Sequence, residues 1–229
     1  MIIFQHQIIV WLTIGQLLIL LLYMLSTLIN YIRNKRVAAL YLSLNYLAYI
    51  ITLSLFLFGH LHSVFNGTTT DLYFQTSMLA NVFIVAGMIT IILFHGEFKE
   101  VSKKGKVVTI ILGLVLIIWI LLPFNYIVSA TGGFQIKYIT YTLMTLYGGV
   151  IYLLLTISFF GFAGKSTERK KELISLGLGS LLFFAYFAIM TAYGITQEFI
   201  ILLINMIVLF VSFLCFFIGI YLPKFTTKR

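Results

Sequence analysis

The fifteen Lys and Arg residues of this 229-residue chain are confined to short segments, and they leave seven long apolar stretches without a charged side chain. A helix needs about 20 apolar residues to cross the hydrocarbon core of a bilayer, and each stretch is close to that length. The sequence therefore predicts an all-α fold in which a single domain, residues 1–229, forms an integral membrane bundle of seven transmembrane helices. The stretches are residues 8–32, 37–58, 72–94, 107–124, 138–162, 173–193 and 199–222.

The distribution of the basic residues also predicts an orientation. Cytoplasmic loops of membrane proteins are enriched in Lys and Arg. Fourteen of the fifteen basic residues fall in alternate connections and at the carboxyl terminus, and only Lys137 falls on the other side. We therefore expect a multi-pass protein of the cell membrane whose amino terminus is outside and whose carboxyl terminus is cytoplasmic. An odd number of helices agrees, because it puts the two termini on opposite sides.

The composition restricts the class of protein and its partners. Apolar residues make up 62% of the chain and charged residues 9%, whereas an ordinary soluble domain has about 25% charged residues. The net charge of +9 comes from loops that the positive-inside rule explains, so no nucleic-acid partner is predicted. The predicted partners are the lipid bilayer and a cytoplasmic or membrane protein that docks on the basic loops.

Helices 2 and 6 begin and end alike, which suggests an internal repeat. A lysine lies 24 residues before a glycine in both, at Lys35–Gly59 and Lys170–Gly194. Helices 3 and 7 each carry an asparagine within three turns of their start, Asn81 and Asn205. The hypothesis is a 3+1+3 parallel internal repeat of helices 1–3 and 5–7 with helix 4 as connector, as in many transporter folds. The alternative is convergence, because any two helices that run outward share basic starts.

Uncharged polar side chains recur at helical spacing along several of the predicted spans. Such stripes should face the interior of a bundle, because polar groups turned toward lipid lack partners. One interpretation is packing between helices through small and hydroxyl-bearing residues. The other is a pocket for a neutral amphipathic ligand or lipid, near the outer ends of the helices. The predicted pocket residues are Gln16, Asn81, Thr142, Thr145, Tyr186 and Asn205.

Histidines near the outer ends raise two questions about metals and cofactors. His6, His60, His62 and Asp71 are predicted on the same side, and imidazole and carboxylate groups can bind a divalent metal. The alternative is four separate interfacial residues that never converge. No bis-histidine haem is predicted, because His60 and His95 lie at opposite faces of the membrane.

The layout resembles two families of seven-helix proteins. It is similar to retinal proteins in helix count, size, orientation and hypothesised repeat. That resemblance implies a Schiff-base lysine in helix 7, but run 199–222 contains none, so no retinal is predicted. It also resembles the 3+1+3 sugar-efflux carriers, which place prolines inside repeat helices. Here Pro123 and Pro223 lie only at helix ends.

The spans contain no Asp, Glu, Lys, Arg or His near their middle. Proton relays, ion-coupled carriers and voltage sensors depend on such groups. No catalytic set of side chains falls at one depth, so enzymatic activity is not predicted. The first functional hypothesis is a sensor or receptor-like module that binds a small neutral or lipidic ligand and signals to a partner. The alternatives are a uniporter or channel with an uncharged pathway, and a structural subunit of a membrane complex.

Overall fold

The computed structural model describes residues 2–67, 71–97, 103–122, 125–128, 134–136, 138–196 and 198–226. Those residues form seven helices that are long and apolar enough to cross a membrane. The prediction of an all-α chain with seven helices of membrane-spanning length is confirmed, apart from one short hairpin. The helices are α1 (Ile2–Asn34), α2 (Val37–Asn66), α3 (Asp71–His95), α4 (Lys103–Leu121), α5 (Tyr138–Lys165), α6 (Lys170–Thr196) and α7 (Phe199–Thr226).

Two helix ends differ from the predicted runs. Helix α2 continues well past residue 58 to Asn66, because no proline interrupts it and a single glycine, Gly59, is tolerated within a helix. Gly67 then adopts the left-handed conformation (φ 68°) typical of a helix C-cap, and its N–H donates to Val64 O at 3.3 Å. Helix α4 ends at Leu121 and not at residue 124. The next residue precedes Pro123, and proline disfavours helical geometry in its predecessor.

A short antiparallel hairpin lies between α4 and α5, and the sequence analysis did not predict it. It consists of β1 (Tyr126–Val128) and β2 (Phe134–Ile136), with Ile127 opposite Gln135. Its residues are mostly aromatic or β-branched, which favours strands. Strands of three residues are too short to show the alternating pattern by which a strand is recognised in a sequence.

The chain divides into two compact units, Met1–Thr140 and Tyr141–Arg229. The first unit contains α1 to α4 and the hairpin. The second contains nearly all of α5, together with α6 and α7. The prediction of a single domain over residues 1–229 stays a prediction.

In the first unit, α1 packs on α2 through buried hydroxyl and aromatic groups. The Ser43 hydroxyl donates to Thr27 Oγ1 at 2.8 Å, and Thr27 Oγ1 donates to Tyr23 O in its own helix at 3.0 Å. The rings of Tyr23 and Tyr46 lie 5.9 Å apart. The polar face of α1 therefore points toward a neighbouring helix, as predicted.

Helix α2 runs antiparallel to α3 and is joined to it by two interhelical hydrogen bonds. Asn45 Nδ2 donates to Gly87 O at 2.7 Å, and Thr52 Oγ1 donates to Ala80 O at 3.2 Å. All four residues are buried. These bonds fix the register of the α2–α3 pair, because each joins a polar side chain to one particular carbonyl of the facing helix.

Helix α4 makes the least use of its surface for packing. Only Gly113, Leu116 and Ile120 are buried in it among the residues whose side chains are described. Most of its large apolar side chains are exposed, as expected for a helix whose surface meets lipid. The connector role predicted for helix 4 stays a hypothesis, as does the repeat of which it is part.

In the second unit, α6 and α7 are also antiparallel and closely packed. Ser212 Oγ donates to Gly179 O, and Ser175 Oγ donates to Cys215 O, each at 2.7 Å. Gly179 allows this approach, because a Cβ atom there would lie 2.8 Å from the ring of Phe216. A glycine and two serines therefore set the register of the α6–α7 pair.

Candidate functional site

The structure buries most of the residues predicted to line a pocket. Gln16, Asn81, Tyr186 and Asn205 are each at most 5% exposed, and Thr142 and Thr145 are half-buried. Gln16 and Asn81 belong to the first unit, whereas the other four belong to the second. Four of the six residues therefore face the interior, and a single pocket lined by all six stays a prediction.

Asn205 has a buried acceptor that the described part of the chain does not use. Its side chain is 4% exposed. Its amide oxygen Oδ1 has no hydrogen-bond donor among the described residues. A buried polar atom in this condition costs about 1–3 kcal/mol, because it has lost water and gained no partner. Among the described residues, Asn205 is the one predicted pocket residue of the second unit with such an atom, and it therefore marks the candidate site.

The packing of α6 on α7 gives the surroundings of Asn205. The hydrogen bond from Ser212 to Gly179 fixes which residues face each other. Asn205 lies seven residues before Ser212, and Tyr186 lies seven residues after Gly179. Because the helices are antiparallel, two turns along each bring Asn205 to the level of Tyr186. Tyr186 is buried too, so two of the predicted pocket residues occur at one level of the second unit.

An aromatic cluster lies next to this level, toward the start of α6. Phe183 is at its centre, stacked on Tyr152 of α5 with ring centroids 4.4 Å apart and an angle of 9° between planes. Its ring also meets Phe213 edge-on at 5.1 Å and Tyr186 at 6.3 Å. The rings of this cluster supply apolar surface next to the level of Tyr186.

Helices α5 and α6 are held together by a pair of threonines. Thr145 Oγ1 lies 2.5 Å from Phe187 O and 2.6 Å from Thr191 Oγ1. Thr191 Oγ1 in turn donates to Tyr141 O at 3.2 Å. Thr145, a predicted pocket residue, therefore serves interhelical packing. The sequence analysis did not identify Thr191. The sequence feature that indicates it is its position one turn after Phe187.

The four residues predicted to bind a metal are only partly described. The ring of His60 is buried against Tyr73, with centroids 4.9 Å apart. His62 instead lies beside Asn66 Nδ2, at 3.3 Å. His60 and His62 both lie within α2. Because residues two positions apart on a helix point in different directions, the two rings do not face each other. No three His, Cys, Asp or Glu residues of the described set are close enough to hold a metal ion.

The side chain of His6 lies outside the described residues. The predicted combination of His6, His60, His62 and Asp71 therefore stays a prediction.

No protein-family model matches this chain, and no curated protein or solved structure is significantly similar to it. The class of the protein follows from the seven apolar helices, which indicate a multi-pass membrane protein in contact with the lipid bilayer.

Proposed function

We propose that the protein is a sensor or receptor-like membrane module that binds a small neutral or lipidic ligand in its second unit and signals to a partner protein. The observation that carries the proposal is the amide oxygen of Asn205, which is buried and has no donor among the described residues. A ligand that supplies a donor removes the cost of that unsatisfied oxygen. Binding next to Asn205 is then favoured over binding elsewhere along the α6–α7 pair.

The ligand is neutral for an electrostatic reason. No ionisable residue other than Tyr and Cys lies near the middle of the predicted spans. A charged group buried in a membrane protein requires a paired charge or a set of hydrogen-bonding groups. Asn205 and Tyr186 provide dipoles and not charges, so they favour an uncharged polar group attached to an apolar body.

The orientation that completes this proposal places the amino terminus outside and the carboxyl terminus in the cytoplasm. The basic residues support it, because this orientation puts all of them except Lys137 on the cytoplasmic side. Asn205, near the start of α7, then lies in the outer half of the membrane. The basic connection between α5 and α6 lies on the inner side, where a partner protein or anionic lipid could bind it.

Two sets of contacts support the proposed internal repeat. In α1, Thr27 Oγ1 donates to the carbonyl of Tyr23, four residues earlier. In α5, Thr156 Oγ1 donates to the carbonyl of Tyr152, also four residues earlier. All four side chains are buried. A Tyr and a Thr with the same spacing and the same internal hydrogen bond thus occur in the first helix of each proposed half.

The registers of the paired helices also agree with the repeat. The predicted repeat pairs Lys35 with Lys170 along α2 and α6, and Asn81 with Asn205 along α3 and α7. The first pairing adds 135 to each position of α2, and the second adds 124 to each position of α3. The α2–α3 contact between positions 45 and 87 then corresponds to positions 180 and 211. Each of these is one residue from the α6–α7 contact between positions 179 and 212. The two antiparallel pairs therefore share one register, which convergence of basic helix starts does not require.

The repeat favours one second candidate, a uniporter with an uncharged pathway, because internal repeats are common among secondary transporters. Flux into vesicles of purified protein distinguishes the two functions. Saturable binding without flux supports the sensor, and flux that Asn205→Leu abolishes supports the uniporter.

The orientation is tested by cysteine labelling in a Cys215→Ser background. A membrane-impermeant maleimide should reach Asn66→Cys in intact cells. The same reagent should reach Thr227→Cys only after the membrane is permeabilised. The reverse pattern would overturn the orientation, and with it the assignment of Asn205 to the outer half.

Ligand binding is tested with two photoreactive aliphatic probes, diazirine derivatives of 1-decanol and of 1-methoxydecane. At least one should label peptides of α6 or α7 saturably in the detergent-solubilised full chain. Asn205→Leu should abolish the labelling, whereas Thr156→Val should retain it, because Thr156 bonds only within its own helix among the contacts described. Labelling that neither saturates nor responds to Asn205→Leu would contradict the proposed function.

A further inference from the structure

The atom type of the unsatisfied group determines which ligands can bind. The Asn205 oxygen is an amide carbonyl, which accepts hydrogen bonds and cannot donate them. It is buried in the chain, and no described residue donates to it. A ligand that satisfies this oxygen must therefore bring a donor, an N–H or an O–H.

This requirement excludes several common classes of membrane-soluble molecule. Ketones, quinones, ethers and simple esters carry oxygens that only accept, so they can pair with the Nδ2–H of an asparagine amide but leave the Asn205 oxygen unsatisfied. An ionised carboxylate fails for the same reason and adds a charge. An ammonium group donates, but no carboxylate near the middle of the spans would neutralise it. Hydroxyl and amide N–H groups remain.

The neighbouring side chains determine the rest of the ligand. Tyr186 lies at the level of Asn205, and Phe183, whose ring meets those of Tyr186 and Phe213 edge-on, lies three residues before Tyr186 on α6. Met190, one turn beyond Tyr186 on α6, is also buried. These side chains are mostly apolar, so they favour a ligand whose body is aliphatic or aromatic.

We propose that the site at Asn205 binds a neutral apolar molecule through a hydroxyl or amide N–H donor, and that it rejects acceptor-only molecules of the ketone, quinone and ether type. This inference rests on the proposed function, and it names the ligand class of the same site. The discrimination arises because an acceptor-only ligand leaves the Asn205 oxygen without a partner, whereas a donor satisfies it.

The test compares 1-decanol with 1-methoxydecane, which differ at the group that meets Asn205. Each competes against the photoreactive decanol probe for labelling of the wild-type full chain. We expect decanol to compete on the order of 10-fold or more better than the ether, the effect of one buried hydrogen bond. In Thr156→Val the difference should persist, whereas Asn205→Leu should abolish the labelling against which both compounds compete.

Each outcome has a distinct meaning. Equal competition by the two compounds in the wild type, with labelling still saturable, would overturn the donor requirement and leave the proposed function standing. Stronger competition by the ether would overturn it too, because the group that Asn205 presents would then be its amide N–H. If neither photoreactive probe labels the second unit saturably, the proposed function fails and the inference fails with it. The wild-type comparison remains decisive even if Asn205→Leu does not fold.

Discussion

The α2–α3 pair of the first unit and the α6–α7 pair of the second contain the same elements but use a buried asparagine differently. In the first pair, the Asn45 amide donates to Gly87 O on the facing helix at 2.7 Å. In the second, Ser212 makes the corresponding bond to Gly179 O. Asn205 lies two turns away, and its oxygen is unsatisfied within the described residues. One helix pair therefore uses its amide for packing, whereas the other keeps an amide oxygen without a donor among the described residues, and this is the oxygen at which we propose that a ligand binds.

A second difference concerns the glycines near the ends of α2 and α6. Gly59 faces α3, because a Cβ atom there would meet the backbone of Tyr73 at 3.1 Å. Gly194 faces α5, where the ring of Tyr141 occupies the corresponding space. The two units therefore share a register between paired helices but not every close contact.

The largest effect is expected from adding a methyl group where α6 and α7 approach most closely. In Gly179→Ala the new Cβ would lie 2.8 Å from the ring of Phe216 and 3.2 Å from the backbone oxygen of Ser212. We expect the free energy of unfolding to fall by about 2–3 kcal/mol, because a helix backbone cannot easily move away. Denaturation by SDS titration in mixed micelles measures it.

Two glycine variants calibrate that result. Gly87→Ala should cost about 1 kcal/mol, because only the ring edge of Tyr49 lies as near as 3.1 Å and it can shift. Gly161→Ala should be neutral or slightly stabilising, since no described atom lies within 4 Å of its Cβ position and alanine favours helix. If Gly179→Ala were no worse than Gly161→Ala, the close α6–α7 contact would be wrong.

A smaller effect is expected at the contact between α5 and α6. Thr191→Val removes the hydroxyl that meets Thr145 and donates to Tyr141 O. We expect a loss of about 0.6–1.7 kcal/mol in unfolding free energy, the usual range for hydrogen bonds between membrane helices. Thr156→Val is the matched control and should cost less, because its hydroxyl bonds only to Tyr152 O in its own helix among the described contacts. Equal losses would mean that the threonine pair does not join the helices.

The apolar stretches and the basic residues predicted the helices, but they could not predict where every helix ends. Residues 58–66 are less apolar than the rest of α2, so hydropathy ends the helix early, whereas backbone geometry ends it at Gly67. The hairpin escaped prediction because three-residue strands show no periodicity. Local sequence thus predicts the elements better than their ends.

The candidate site was predicted only in part, for a different reason. Spacing identified Asn205 and Tyr186, because a polar residue on a helix face is visible in the sequence. Spacing could not show that Asn45 is used for packing between helices and Asn205 is not, because the partner of Asn45 is a backbone carbonyl 42 residues away. Every residue has a carbonyl, and only the packed structure shows which one faces an amide.

The last prediction is that activity is not coupled to the movement of protons. Any transport or signalling by this protein should not be coupled to protons through the membrane core, because no residue near the middle of the spans titrates close to neutral pH without strong perturbation. Reconstituted vesicles with a pH-sensitive dye inside provide the measurement. Proton movement in fixed proportion to activity would contradict the account.

The most direct test of the central claim is the effect of two matched substitutions on the unfolding free energy of delipidated, ligand-free protein. Asn205→Leu should raise that free energy by about 1 kcal/mol, because it replaces an unsatisfied buried amide with an apolar side chain of similar size. Asn45→Leu should lower it by about 1 kcal/mol, because it removes the hydrogen bond to Gly87 O. If Asn205→Leu destabilises the ligand-free protein as much as Asn45→Leu does, then Asn205 is a packing residue and the proposed ligand site does not exist.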